Sequence, residues 1–313
     1  MAVAEEHRAR AGAPGATRRV RTRAPGEPRR VAYLYILPAF AFYALFALGP
    51  LLYTSYLSFF DWDGLTVGTW IGLDNYKELW DNPGVRTSFV HAFVLIIFYA
   101  LLPCLLGLVL ASLIAHSRVR GVTFFRAVLF LPQTIATVVI AIAWVWIYAP
   151  DGPLNEALRF VGLGSLARGW LGDFDFALPA LGLVGSWVMF GLCLVLFLAG
   201  IQKIPISLYE AARVDGAGRV REFFAVTLPG LRGELAVALT LTTIMALRTF
   251  DLIYVSTAGG PGTQTTVPSV LVYQNAFVNG KVGLAAAVAV VLTALIFVVA
   301  FGITRIVDRD PGK

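Results

Sequence analysis

The chain has 313 residues, 58% of them hydrophobic and only 14% charged, with a mean hydropathy of +0.75. Soluble domains carry about 25% charged residues, so a water-soluble globular fold is excluded and lipid is the expected solvent for most of the chain. The net charge of +6 comes from Lys and Arg gathered in a tail and certain loops, which argues against nucleic-acid binding.

Residues 1–30 are rich in Ala, Gly, Pro and Arg without helical or strand periodicity, so a disordered basic cytoplasmic tail is expected. A membrane helix needs about 20 mainly apolar residues to cross about 30 Å of hydrocarbon. Six segments meet that test: Val31 to Leu57, Val90 to Ala115, Phe124 to Tyr148, Ala177 to Ile201, Leu235 to Tyr254 and Leu284 to Val307. They are longer than the about 9–11-residue alternating strands of membrane barrels, and unpaired backbone amides are costly in lipid, so each is read as a helix. The expected fold is an all-α integral membrane protein with about six transmembrane helices. The first helix and its outer loop occupy 31–89, a core of five helices 90–308, and a cytoplasmic end 309–313. The first run exceeds the about 7–15 apolar residues of a signal peptide and is expected to remain as an anchor. Pro38, Pro50, Pro103 and Pro132 predict local kinks in the first three spans. Cys104 and Cys193 are the two cysteines, and with no C-x-x-C pair or His cluster they predict neither a disulfide framework nor a metal site.

Of the 25 Lys and Arg residues, 19 lie in the tail, around 118–126, in 203–232 and at the C-terminal end; the intervening loops hold 5. The positive-inside rule then places both termini in the cytoplasm. Trp62, Trp70, Trp80 and Trp170 fall in the outer loops, where indole rings suit the membrane interface.

The cytoplasmic loop 204–230 between the fourth and fifth spans has a readable local grammar. Ser207 and Glu210 stand at capping-box spacing, which predicts a short helix carrying the small residues Ala211 and Ala212. Gly216 and Gly218 suit positive φ and end that helix; Arg219 to Val226 then forms a second one, stopped by Pro229. A helix-turn-helix outside the bilayer results.

With Glu210-Ala211-Ala212, Gly216, Val226 and Leu228-Pro229 at these spacings, the loop resembles the signature of the permease subunits of bacterial ATP-binding-cassette importers, especially of the maltose and glycerol-3-phosphate type. That signature reads E-A-A, three residues, G, nine residues, I, one residue, L-P; Val226 in place of Ile is the one departure. Gly72-Leu73-Asp74-Asn75-Tyr76, Asp151-Gly152-Pro153-Leu154-Asn155, Phe250-Asp251 and Gly259-Gly260-Pro261 look like stretches of the sugar subgroup. The resemblance implies that Glu210, Ala211, Ala212, Asp215, Gly216, Val226, Leu228 and Pro229 couple the chain to an ATPase. Glu210 would then meet a basic group there, or else merely close its own capping box. The implied partners are two ATP-binding-cassette subunits, which hold ATP and Mg, a second related permease, an extracytoplasmic solute-binding protein and membrane lipid. The implied location is the bacterial cell membrane, with multiple passes.

The chain has no G-x-x-x-x-G-K-[ST] stretch, so phosphate cradling belongs to a partner. Nor does it show a His/Glu metal spacing or a nucleophile elbow, so it is read as a non-catalytic subunit without cofactors of its own. Arg248 and Asp251 are the sharpest intramembrane feature, because a charge at mid-bilayer costs about 2.5–3.5 kcal/mol on insertion scales. Three residues apart on one helix face, they are either a structural ion pair or part of the translocation pathway. Thr243, like Thr240, Thr242 and Thr249, suits solute hydroxyls or hydrogen bonds to neighbouring helices. Arg248 is the one basic candidate inside the membrane, which argues against a phosphorylated solute, and the resemblance to the sugar subgroup then implies a neutral mono- or oligosaccharide. An ion- or proton-coupled secondary transporter is the rival reading, and it leaves the loop signature unexplained.

Overall fold

The computed structural model describes residues 29–115 and 121–307. The expected disordered tail falls outside the described residues except for Arg29 and Arg30, where helix has already begun. Residues 116–120, with Arg118 and Arg120 of the first cytoplasmic loop, and the end 309–313 also lie outside. The chain divides into two units, residues 1–51 and 52–313. The first is helical from Arg29, with Pro38 inside the helix and a π-helical turn over Ala44–Leu48. The membrane-length run α1, Tyr33–Leu57, begins in this unit and ends within the first residues of the second.

After α1, the second unit forms a short antiparallel hairpin, β1 (Phe60–Asp61) with β2 (Thr69–Trp70), followed by the amphipathic α2 (Asp74–Asp81). Next comes α3 (Pro83–Ala115), a single span relaxed by a π-helical turn at Ile97–Leu101, just ahead of Pro103. The expected third span is bent instead of straight: α4 (Val122–Thr134) and α5 (Thr137–Ile147) meet at 98°. Pro132 lacks an N–H and crowds the preceding turn, and the helix stops two residues later at extended Ile135 and Ala136. The loop helix α6 (Pro153–Phe160) precedes α7 (Ala177–Ile201), whose bounds are those expected from the sequence. Among the described residues, five helices are long and apolar enough to cross a membrane, and the bent pair, taken as one span, brings the count to six.

Small residues let α7 act as the hub. A Cβ on Gly185 would lie 2.0 Å from the Tyr99 ring, and one on Gly191 would lie 2.1 Å from the Leu129 carbonyl oxygen. Glycine at these positions permits the close helix approach typical of membrane bundles. Gly191→Ala is therefore expected to destabilise the fold by about 1–3 kcal/mol through overpacking. Gly233→Ala, where a Cβ meets nothing within 4 Å, should leave thermal unfolding in detergent unchanged. Cys104 and Cys193 are free thiols buried where α3 meets α7, their sulfurs 3.6 Å apart.

Two buried asparagines give a structural role to two of the four stretches that resemble the sugar subgroup. Asn75 donates from Nδ2 to the carbonyls of Ser58 and Phe60, both at 2.9 Å, tying α2 to the hairpin. Asn155 donates to the carbonyls of Ala149, Pro150 and Arg168 and accepts from the Trp170 indole at 2.9 Å. Trp170 is thus built into a loop, while Trp80 is 76% exposed, as an interfacial anchor requires.

Candidate functional site

The loop after α7 forms an elbow of α8 (Ile206–Val214) and α9 (Arg219–Glu222), the latter continuing through a π-helical turn at Phe223–Thr227 into Leu228–Gly230. Gly216 has φ +77°. Its N–H donates to the Arg213 carbonyl at 3.0 Å, and the Ala217 N–H donates to the Ala212 carbonyl at 2.9 Å. This is a Schellman ending, which places glycine at the left-handed position because a Cβ is unfavourable there. Gly218, with φ −75°, instead caps the start of α9.

Two further expectations about this loop are corrected. Pro205 precedes the first helical residue and Ser207 lies inside the helix without a capping hydrogen bond, so no capping box forms. Glu210 is exposed and occupied by no hydrogen bond or ion pair among the described residues. Pro229 does not stop the second helix either, because the preceding π-helical turn widens the backbone where an α-helical carbonyl would clash with the ring.

The elbow is held from inside by contacts that sequence spacing did not reveal. Arg213 grips Glu222 through two parallel hydrogen bonds, Nη2 to Oε1 at 3.0 Å and Nε to Oε2 at 3.2 Å. The Glu222 side chain is only 6% exposed; its carboxylate is the main cause that raises the Arg213 pKa further above the ordinary arginine range, with Glu210 a lesser contributor. The bidentate geometry gives both strength and a fixed angle. Tyr209 and Thr227, both buried, share a hydroxyl hydrogen bond at 3.2 Å, and Lys203 bridges to Glu234 at 2.9 Å across the base. Arg213 stood in plain view within the signature, but nothing local identifies a partner nine residues away before the elbow folds back.

The signature residues consequently divide. Glu210, Ala211, Asp215, Gly216 and Pro229 are exposed, and Ala212 and Val226 are half-buried. Leu228 packs on the membrane core formed around Ile201 and Leu231. Around the exposed set, Ile206, Val214 and Val220 are each more than 70% exposed, an apolar patch of the kind that marks an interaction surface.

The second site lies in the fifth span, which is α10 (Arg232–Leu247) and α11 (Asp251–Thr257) separated by a break. Phe250 has φ −133° and ψ −62°, which ends helical geometry between Arg248 and Asp251. The two charges therefore do not share a continuous helix face, and among the described residues no ion pair joins them. Both line a cavity of about 210 Å³ together with Tyr99, Thr137, Met189 and Thr249. The Thr249 hydroxyl meets the Tyr99 hydroxyl at 3.2 Å, and its carbonyl accepts from Ser269; such side chains are what permit a break at membrane depth. Arg248 also faces a larger groove of about 560 Å³ between α10 and the last span, α13 (Val282–Val307), which follows α12 (Pro268–Tyr273). Thr243 is buried and off the cavity lining, whereas Thr242 donates to the Ala238 carbonyl of its own helix at 2.7 Å.

Residues 104–313, two thirds of the chain, match the family described as binding-protein-dependent transport system inner membrane component. The chain belongs to this family of ABC importer permeases. It is 37% identical over 290 residues to a probable ABC transporter permease protein, YurN, of Bacillus subtilis, covering 90% of this chain and 97% of that one. It is 35% identical over 275 residues to the trehalose/maltose transport system permease protein MalF of Thermococcus litoralis, covering 85% and 90%. A chain of a bacterial ABC transporter involved in the import of the acidic polysaccharide alginate superposes with a TM-score of 0.76, covering 90% of this permease and 96% of that chain at 23% identity, a likeness of fold. The permease is thus a multi-pass membrane subunit of an importer.

Proposed function

We propose that this permease carries a neutral sugar or oligosaccharide inward by alternating access, driven by two separate ATPase subunits that dock on the elbow. The observation that carries the reading is the outward presentation of Glu210, Ala211, Asp215 and Gly216 on an internally braced elbow. An exposed carboxylate on a helix that also exposes the apolar Ile206 and Val214 matches a partner cleft with one basic group, and the Arg213–Glu222 clamp lets displacement of the elbow move α7 and α10 together. ATP and Mg belong to those partners. The distribution of Lys and Arg supports cytoplasmic termini and a cytoplasmic elbow, so the hairpin end faces the solute-binding protein.

Within the membrane, the cavity at Arg248 and Asp251 is the candidate solute site, with Thr249 rather than Thr243 the hydroxyl that faces it. One cation and one anion, neither ion-paired among the described residues, suit a neutral polyhydroxylated solute whose hydroxyls both donate and accept. Relatives named for trehalose/maltose, sulfoquinovosyl glycerol and diacetylchitobiose uptake support the sugar class. A second related permease completes the pathway, because one half-open cavity encloses no channel.

The test is affinity purification from native membranes, comparing the intact permease with Glu210→Ala and Gly216→Pro. Recovery of a P-loop ATPase and a second permease with the intact chain, and loss of the ATPase in the variants, is the expected outcome. A permease that purifies alone, or ATPase recovery indifferent to both variants, contradicts docking through the elbow.

A further inference from the structure

An unbroken row of aromatic rings runs from the cavity toward the hairpin end of the molecule. Phe250, on the cavity wall, stacks on Tyr254 with centroids 5.1 Å apart and planes 14° from parallel. Tyr273 meets both, at 5.5 Å and 4.7 Å, and Phe277 follows at 5.3 Å. Phe277 is 77% exposed. We propose that Phe250, Tyr254, Tyr273 and Phe277 form an aromatic track that receives the sugar rings of the solute at the outer surface and hands them to the cavity at Arg248 and Asp251.

Three observations select a sugar as the occupant. The inner end of the track is continuous with Arg248 and Asp251, two charges in no ion pair among the described residues, which lipid tails cannot solvate. Two of the four rings carry hydroxyls, and tyrosine combines an apolar face with a polar tip; the C–H face of a pyranose fits the first and its rim of hydroxyls the second. The turns that carry Tyr273 and Phe277 also present Gln274, Asn275 and Asn279 to a separate polar pocket of about 360 Å³, where amides offer both donors and acceptors. Along such a row each ring binds weakly and all bind alike, so a chain of sugars advances without a deep trap.

This inference rests on the sugar-importer reading, and its test separates the two. Uptake of a panel of radiolabelled neutral mono- to tetrasaccharides is measured in proteoliposomes holding the complete transporter, with assembly of every variant verified by gel filtration. The track predicts that Tyr273→Ala and Phe277→Ala raise KM by about tenfold for the longest transported sugar and by less for shorter ones, a tenfold change being about 1.4 kcal/mol. Tyr273→Phe, which keeps the ring, should restore most of the affinity. If Arg248→Ala and Asp251→Asn lower uptake while the track variants keep the parent KM at every length, the track is overturned and the importer reading stands. Uptake of no panel member by the intact transporter overturns both. A Phe277→Cys variant that cross-links to the second permease and is not shielded by solute would assign the rings to a subunit interface and also overturn the track.

Discussion

Gly216→Val is expected to uncouple the permease, lowering ATP-driven uptake by about tenfold or more while the membrane core stays folded. At φ +77° an L-residue costs about 1–2 kcal/mol, and a β-branched side chain is a stronger outlier. The strain falls on the turn that aims Glu210 and Asp215 outward, and its relief swings α8 away from α9 against the Arg213–Glu222 clamp. A change of about 1.4 kcal/mol in productive docking is already tenfold in rate. Space is not the cause, since a Cβ at Gly216 meets nothing within 4 Å; the backbone angle alone is. Gly218→Ala is the matched control: it adds a Cβ in equally open surroundings at φ −75°, and uptake should stay near the parent value. Equal loss in both variants would move the requirement from the turn to general sensitivity of the loop.

The second large effect is expected at the cavity. Arg248→Ala and Asp251→Asn should each lower transport by about tenfold yet leave thermal stability within about 0.5 kcal/mol of the parent, the range for substitutions that remove no partner. A structural ion pair would behave oppositely: removing one member would leave the other charge stranded and cost stability, while the double variant would recover it. The break at Phe250 and the separate placement of the two groups on the cavity wall favour the first pattern. Uptake of a panel sugar and thermal unfolding, measured on the two single variants and the double, distinguish the alternatives.

Much of this architecture was legible because its causes are local. Apolar length marks a span whatever its neighbours, and α7 appears with the bounds expected; Gly216 ends α8 because only backbone geometry is at stake. The parts that were not legible depend on distant partners. Whether Pro132 bends or breaks its span depends on α7, where Gly191 admits the Leu129 carbonyl. The spacing of Arg248 and Asp251 suggests a shared helix face, but the Thr249 carbonyl finds Ser269 of α12 instead, and that exchange allows the helix to stop between the charges. Ser207 and Glu210 have capping-box spacing but sit two residues too deep, because Pro205, with its fixed φ, takes the N-cap position. Asn75 and Asn155 looked like family stretches without a role until their hydrogen bonds placed them as loop organisers.

The most direct test of the account is photo-cross-linking from the elbow in the working transporter. A photoreactive residue is placed at position 210 or 215, with position 160 in α6 as the remote control, and the captured chains are identified by mass spectrometry as ATP is added. The account predicts that positions 210 and 215 capture a P-loop ATPase, that the yield changes with ATP, and that position 160 captures none. Transport that continues while the elbow positions capture no ATPase, or that proceeds without ATP, would contradict it.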